Sequence, residues 1–281
     1  MKTSNKLLIA FATALILIPI LSIAIISRVY YEKGDGLYNT AAMDGFGPLP
    51  TIIASIPANG SFETVSIQGD KGMHLAVTLV KDAKQEIKFS DNLKGFLTIS
   101  TDANSQLLVT IKPNIKGEVF GRIYISSLAM KRLKVSNSGI NLQAAMDSLD
   151  LSLNNMNSAN FNAESKIGRL DIHSTDVRGI TFVETPIKNV FMDVKNGSVI
   201  IERSSFDNLT INSTGTDDIE LKGGDGDASM QLIKNLKINT LGKSGFKVFN
   251  TMIDKCSGSF SDSTSVLMPA VNLNQMYKGR K

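Results

Sequence analysis

The sequence predicts an all-β protein whose main body is a β-solenoid, preceded by one transmembrane helix. Three observations carry this expectation. A short phrase, two aliphatics around one residue and then a polar run, recurs six times between Leu133 and Ile238. Before that repeat, apolar and polar residues alternate with period two. At the amino terminus, Leu7 to Ile26 is an uncharged run of 20 residues.

In chain order, the apolar run comes first. About 20 apolar residues cross a bilayer as a helix. Lys2 and Lys6 precede the run, Arg28 follows it, and Tyr30, Tyr31 and Tyr38 stand where an aromatic belt would meet the headgroups. A competing reading is a signal peptide, with Pro19 ending the apolar core and Ser22-Ile23-Ala24 as the cleavage region. The run continues through Ile25 and Ile26, which is long for such a core, so residues 1–27 are read as an anchor. No cysteine follows the run directly, which excludes a bacterial lipoprotein. In either case the rest of the chain is expected outside the cytoplasm, periplasmic or extracellular. Residues 28–58, punctuated by Gly34, Gly36, Gly45, Gly47, Pro48 and Pro50, read as a connector.

Residues 59–270 are expected to form the head domain. Val65 and Ile67, then Leu75, Val77 and Leu79, then Ile87 and Phe89, Leu97 and Ile99, and Leu107, Val109 and Ile111 keep period two. Turns such as Gly69-Asp70-Lys71-Gly72 and Asp102-Ala103-Asn104-Ser105 separate these strands, some of which would pair as hairpins. No helical period of useful length follows residue 30, and residues 271–281 read as a basic tail.

The repeat copies are Leu133-Lys134-Val135, Leu149-Asp150-Leu151, Leu170-Asp171-Ile172, Val190-Phe191-Met192, Leu209-Thr210-Ile211 and Leu236-Lys237-Ile238. They start 16, 21, 20, 19 and 27 residues apart. Each is followed by a second apolar pair: Ile140/Leu142, Phe161/Ala163, Ile180/Phe182, Val199/Ile201, Ile219/Leu221 and Phe246/Val248. Strand, corner, second strand and longer return make one solenoid turn, and stacked turns share a core that none could build alone. Stacking also predicts ladders. Asn189, Asn208 and Asn235 each precede the first aliphatic and would hydrogen-bond along the axis.

The order of these segments resembles a known family. Phe62-Glu63-Thr64-Val65-Ser66-Ile67, Gly72-Met73-His74-Leu75-Ala76-Val77, Gly95-Phe96-Leu97-Thr98-Ile99, Ile123-Tyr124-Ile125 and Leu133-Lys134-Val135-Ser136-Asn137-Ser138-Gly139 lead into serial Asn-Leu-x-Ile-Asn coils. This looks like the head GIN domain family of exported, auto-transporter-adhesin-like proteins of Bacteroidetes, over roughly residues 60 to 250. Its turn at Ser136-Asn137-Ser138-Gly139 departs from the family's usual glycine-containing form. The resemblance implies a right-handed parallel β-helix at the cell envelope and supplies no catalytic residues.

Column alignment makes the chemical candidates explicit. The position after the second aliphatic gives Ser136, Ser152, His173, Asp193, Asn212 and Asn239, so Ser152, His173 and Asp193 stand in nucleophile, base, orienter order. A triad also needs an oxyanion hole and a cleft, and no tight nucleophile turn surrounds Ser152. The middle position places Asp150 beside Asp171, a pairing that could serve glycoside hydrolysis. Against it, the chain has no tryptophan and 6% aromatics, poor for stacking sugar rings. Gly223-Gly224-Asp225-Gly226-Asp227, with Asp217 and Asp218 nearby, resembles one calcium-binding glycine-rich repeat, but it occurs once and Ala228 stands where an aspartate belongs. His74 and His173 are too far apart in sequence for a transition-metal site. Cys256 cannot form an intrachain disulfide and reads as a small buried apolar residue. No catalytic, cofactor-binding or metal-binding residue is therefore assigned, and no cofactor is expected.

Charge narrows the partners. Thirty basic and 26 acidic residues give +4, mixed along the chain. The clusters Lys131-Arg132-Lys134 and Lys278 to Lys281 read as solvated, so no nucleic acid is expected. The expected role is a non-catalytic adhesion or envelope-interaction module. It would be held at the membrane by its helix, with a protein or cell-surface ligand as partner and self-association left open. The competing readings are a polysaccharide-acting enzyme, lyase or glycoside hydrolase, and a component of an envelope stress or assembly complex.

Overall fold

Strand follows strand through nearly all of the protein, a computed structural model describing residues 52–57, 62–112, 119–224 and 230–278. The apolar run at Leu7–Ile26, most of the connector and Asp225–Asp227 lie outside these residues. Among the described residues no helix is long and apolar enough to cross a membrane. The strands join one 18-stranded, mostly parallel sheet.

The repeat folds as a stack in which each turn of chain contributes to two long faces. On the first face lie the C-terminal half of β9 (Gly139–Met156), the N-terminal part of β11 (Lys166–Val183), then β12 (Asn189–Glu202), β13 (Phe206–Thr214), β15 (Gln231–Leu241) and β17 (Thr251–Ser259). Consecutive members pair in parallel, so Leu149, Leu170, Val190, Leu209, Leu236 and Cys256 form one column. The second face starts from the N-terminal half of β9. It continues through β10 (Ala159–Phe161), the ends of β11 and β12, β14 (Asp217–Lys222), β16 (Ser244–Phe249) and β18 (Ser265–Leu267). Both columns point inward. Leu170, Leu209, Ile180, Val199 and Phe246 are 0–1% exposed, so the phrase buries its aliphatics between the faces. Phe161 and Phe182 stack there with ring centroids 4.4 Å apart.

Two registers differ from the sequence alignment, each by two residues. Leu133 of β8 (Arg132–Ser136) pairs with Leu151, not Leu149, so Ser136 faces Asn154 rather than Ser152. The second inward pair of the following coil is Ala159/Phe161, not Phe161/Ala163. A shift of two keeps every side chain on its own face, so burial alone does not distinguish these registers. The corners decide them. Asn137, Asn155, Asp176, Asn196, Gly215 and Gly242 occupy equivalent corner positions, and all have positive φ, from 51° to 117°. Only Gly, Asn and Asp take that conformation readily. The Asn155 amide donates to Asn137 Oδ1 at 2.7 Å and the Asn196 amide to Asp176 Oδ1 at 3.0 Å, tying corners of adjacent turns together.

The N-terminal end is not stacked in chain order. β2 (Thr64–Gln68) lies between β6 (Gln106–Ile111) and β8, and β3 (Met73–Val80) between β7 (Val119–Ser126) and β9. The Gly69–Gly72 turn is thus a corner between faces. The Asp102–Ser105 turn closes a true hairpin of β5 (Leu97–Thr101) with β6. Asp102 Oδ1 accepts from the backbone N–H of Asn104 and Gln106, which fixes that turn. β4 (Glu86–Ser90) runs antiparallel to β7. β1 (Ile52–Pro57), inside the stretch read as connector, runs antiparallel to β4. The antiparallel strands β1, β4 and β5 thus flank the two faces at this end.

The C-terminal end carries a helix that the absence of helical periodicity did not predict, α1 (Ala270–Lys278), where a basic tail was expected. Asn272 and Gln275 donate side-chain amides to the carbonyls of Ile253 and Asp254 at 3.1 and 3.0 Å. Gln275 Oε1 accepts from the Cys256 backbone N–H at 2.9 Å. The helix therefore supplies β17 with hydrogen bonds that a further strand would otherwise make.

Candidate functional site

The outward side of the first face is polar, and its columns fall where the alignment put them from Ser152 onward. Parallel register sets Ser152 against His173, His173 against Asp193, Asp193 against Asn212 and Asn212 against Asn239. His173 Nδ1 is 3.2 Å from Asp193 Oδ2. The Asn212 amide donates to Asp193 Oδ1, and the Asn239 amide to Asn212 Oδ1, both at 2.8 Å. Ser259 Oγ extends the ladder to Asn239 Oδ1 at 3.3 Å. Asp193 thus has one oxygen on a histidine and the other on an asparagine ladder. Ser152 sits in a straight strand, without the strained turn and converging backbone N–H groups of an acyl-transfer site. The three residues share one column, and from His173 to Ser259 that column is linked side chain to side chain as a rail.

A parallel rail runs beside it. The Asn208 amide donates to Asn189 Oδ1 at 2.7 Å and the Asn235 amide to Asn208 Oδ1 at 3.0 Å, as the spacing predicted. Stacked amides each donate one way and accept the other, so the chain of bonds propagates along the axis.

Between the rails, Asp150 and Asp171 are register partners, and so are Asp171 and Phe191. Each carboxylate meets its own arginine. Asp150 lies 3.5 Å from Arg132 Nε, and Asp171 accepts from Arg169 Nε at 3.0 and 3.1 Å. With His173 and Phe191, the residues Asp150, Arg169 and Asp171 line a shallow depression of about 200 Å³. A second open depression of about 390 Å³ adjoins it around Ser152, His173, Asp193 and Lys195. Arg132, Arg169 and Phe191 were missed as site residues by the sequence reading. The signal existed: period two in β11 puts Arg169, Asp171 and His173 on one side, and the column alignment sets Phe191 beside Asp171.

The remaining candidates separate. Asp217, read as a neighbour of the glycine-rich loop, is 2% exposed and turned into the structure. It accepts from Ser213 Oγ at 2.5 Å and from the Gly197 backbone N–H at 2.7 Å. Burial pushes its carboxyl above the usual carboxylate range, against the pull of these hydrogen bonds. Among the described residues no three His, Cys, Asp or Glu side chains gather in a metal-binding group. His74 stacks on Phe120 with centroids 5.2 Å apart, on β3 rather than near His173. Cys256 is 5% exposed in the aliphatic column, and desolvation raises its thiol to about 11, the opposite of an activated nucleophile.

No protein-family model matches the chain, and no curated protein matches it. Among solved structures the chain is similar to a candidate adhesin from Parabacteroides merdae ATCC 43184, at 14% identity and a TM-score of 0.45, covering 79% of this chain and 94% of that one. A candidate adhesin from Bacteroides fragilis NCTC 9343 is similar at 15% identity and a TM-score of 0.38, covering 78% and 96%. A candidate lipid binding protein from Parabacteroides distasonis ATCC 8503 is similar at 12% identity and a TM-score of 0.37, covering 76% and 92%.

Proposed function

We propose that this protein is a non-catalytic adhesion or envelope-interaction module. In this reading it is a right-handed β-solenoid, anchored through Leu7–Ile26 and carried outside the cytoplasm. The observation that supports it most is the state of the outward side chains on the first face. His173 and Asp193 are engaged along the axis and Asp150 and Asp171 by arginines, and with Ser152 they line open depressions rather than a cleft. A broad, pre-ordered face with little rotamer freedom left to lose suits binding more than bond cleavage. Right-handed winding is the general rule for parallel strands joined by crossovers. The resemblance in segment order to exported head GIN proteins points the same way.

Binding and cleavage are separated by one experiment. The full chain in detergent micelles is incubated with isolated bacterial envelope protein and polysaccharide fractions. Retention and polymer length are both measured. Saturable retention with unchanged polymer length is expected. Polymer shortening that disappears in Asp150→Asn or Asp171→Asn would make the protein an enzyme. Failure to retain any fraction would sink the adhesion reading.

A further inference from the structure

We propose that the depression beside Phe191 is a carbohydrate subsite that seats one neutral pyranose unit of an envelope glycan. This rests on the adhesion reading and names the ligand class for its main face.

The charges on this part of the face cancel in pairs. Asp150 is matched by Arg132 and Asp171 by Arg169, so neither an anion nor a bare cation finds a net counter-charge. What remains is a dense set of donors and acceptors. Arg169 meets Asp171 through Nε, at two-thirds exposure, and its Nη groups have no protein partner among the described residues. The carboxylate oxygens have lone pairs beyond those on the arginines. With Nδ1 donating to Asp193, His173 offers Nε2 as an acceptor in its neutral form. Vicinal hydroxyls, each both donor and acceptor, match such a set, and an arginine–carboxylate pair holds its two partners in fixed geometry.

Phe191 supplies the apolar component. It is half-buried, one strand spacing of ~4.8 Å from Asp171, with its ring 6.2 Å from that of His173. A pyranose has one face of C–H groups and a rim of hydroxyls, and a ring beside a carboxylate meets both. The chain's low aromatic content does not count against this, because one placed ring is enough for one sugar. Size agrees: sites for drug-sized ligands run to ~300–1,000 Å³, and the depression of about 200 Å³ suits a single ring. A peptide strand would instead seek a free sheet edge, and this surface is the face of a sheet whose members are paired on both sides.

The test is saturation-transfer NMR on the full chain in detergent micelles. The probes are methyl β-D-glucopyranoside, methyl β-D-galactopyranoside and methyl α-D-mannopyranoside. At least one glycoside is expected to saturate, more strongly on the C–H groups of one ring face. Phe191→Ala is expected to weaken it about fivefold, in line with ~1 kcal/mol for an aromatic contact. The near-isosteric Asp171→Asn is expected to weaken it similarly with an unchanged melting temperature. The subsite fails if no glycoside saturates, or if both variants bind as the wild type does. Envelope retention is measured on the same samples. Retention without any glycoside binding would overturn the sugar subsite and leave the adhesion reading standing, whereas loss of retention would overturn that reading itself.

Discussion

At the residue scale, the corners carry more specificity than the core. Leu209 could be exchanged for isoleucine with little consequence for the pattern, but Asn196 holds a φ of 58° and donates its amide to Asp176 Oδ1. Left-handed backbone costs a β-branched residue about 1–2 kcal/mol, and loss of the hydrogen bond adds about 1 kcal/mol. Asn196→Val should therefore lower stability by about 2–3 kcal/mol in urea titration, while Asn196→Gly should lose about 1 kcal/mol. Asp217 makes a different prediction. Its carboxyl is raised in the folded state by burial, so between its ordinary value and the raised one the folded chain binds the extra proton. Stability from this group falls as pH rises through that window and is regained as pH falls. Asp217→Asn does not titrate. The stability of the wild type relative to this variant should improve from pH 7 toward pH 4, and an unchanged difference would refute the assignment. The corner column was legible in the sequence as Asn155, Asp176, Asn196, Gly215 and Gly242, each six residues after the first aliphatic of its copy, with Asn137 four after Leu133. It went unread because only apolar positions and outward polar positions were aligned.

At the element scale, the sequence showed which segments are strands and which way their side chains face. It did not show the order of neighbours where the order breaks the rule of succession. Nothing local in Val65-Ser66-Ile67 says that it pairs with both Leu107-Leu108-Val109 and Leu133-Lys134-Val135, because pairing between parallel strands is a tertiary matter. The helix α1 was missed for a related reason. Its buried residues, Asn272 and Met276, alternate a polar with an apolar group, because the surface it covers is an open row of backbone donors and acceptors. The double variant Asn272→Ala/Gln275→Ala should lower stability by about 2–3 kcal/mol, leaving backbone groups of Ile253, Asp254 and Cys256 without these partners. It should also self-associate with rising concentration in light scattering, because β17 would be exposed. A variant that remained monomeric at full stability would remove the capping role.

At the scale of the whole molecule, stability should vary along the axis. In a stacked array each turn is held by its two neighbours, so an interior truncation unsettles both and a terminal one unsettles a single neighbour. Leu209→Ala, in a column at 0% exposure, should cost about 3–4 kcal/mol. Ile253→Ala, at 7% exposure in the last coil, should cost about 2 kcal/mol. Hydrogen exchange should show β17 and α1 opening before β11 and β12. Equal protection from end to end would mean that the fold opens as a single unit. The Phe191 depression lies on β9, β11 and β12, so it should stay intact while the ends fray.

The interleaved coil at the other end sets the order in which the molecule can close. β2 and β3 are made early, yet the strands on either side of them, β6 with β7 and β8 with β9, are made later. A chain emerging from its amino terminus must hold this first coil open-sided until residue 145 has arrived to clasp its second flank. After that point every new coil lands on a finished one. Assembly thus has one slow, non-local act followed by many quick local ones. A stalled or truncated chain that stops between β7 and β8 is left with one flank of β2 and β3 uncovered, an edge ready to pair with a stranger.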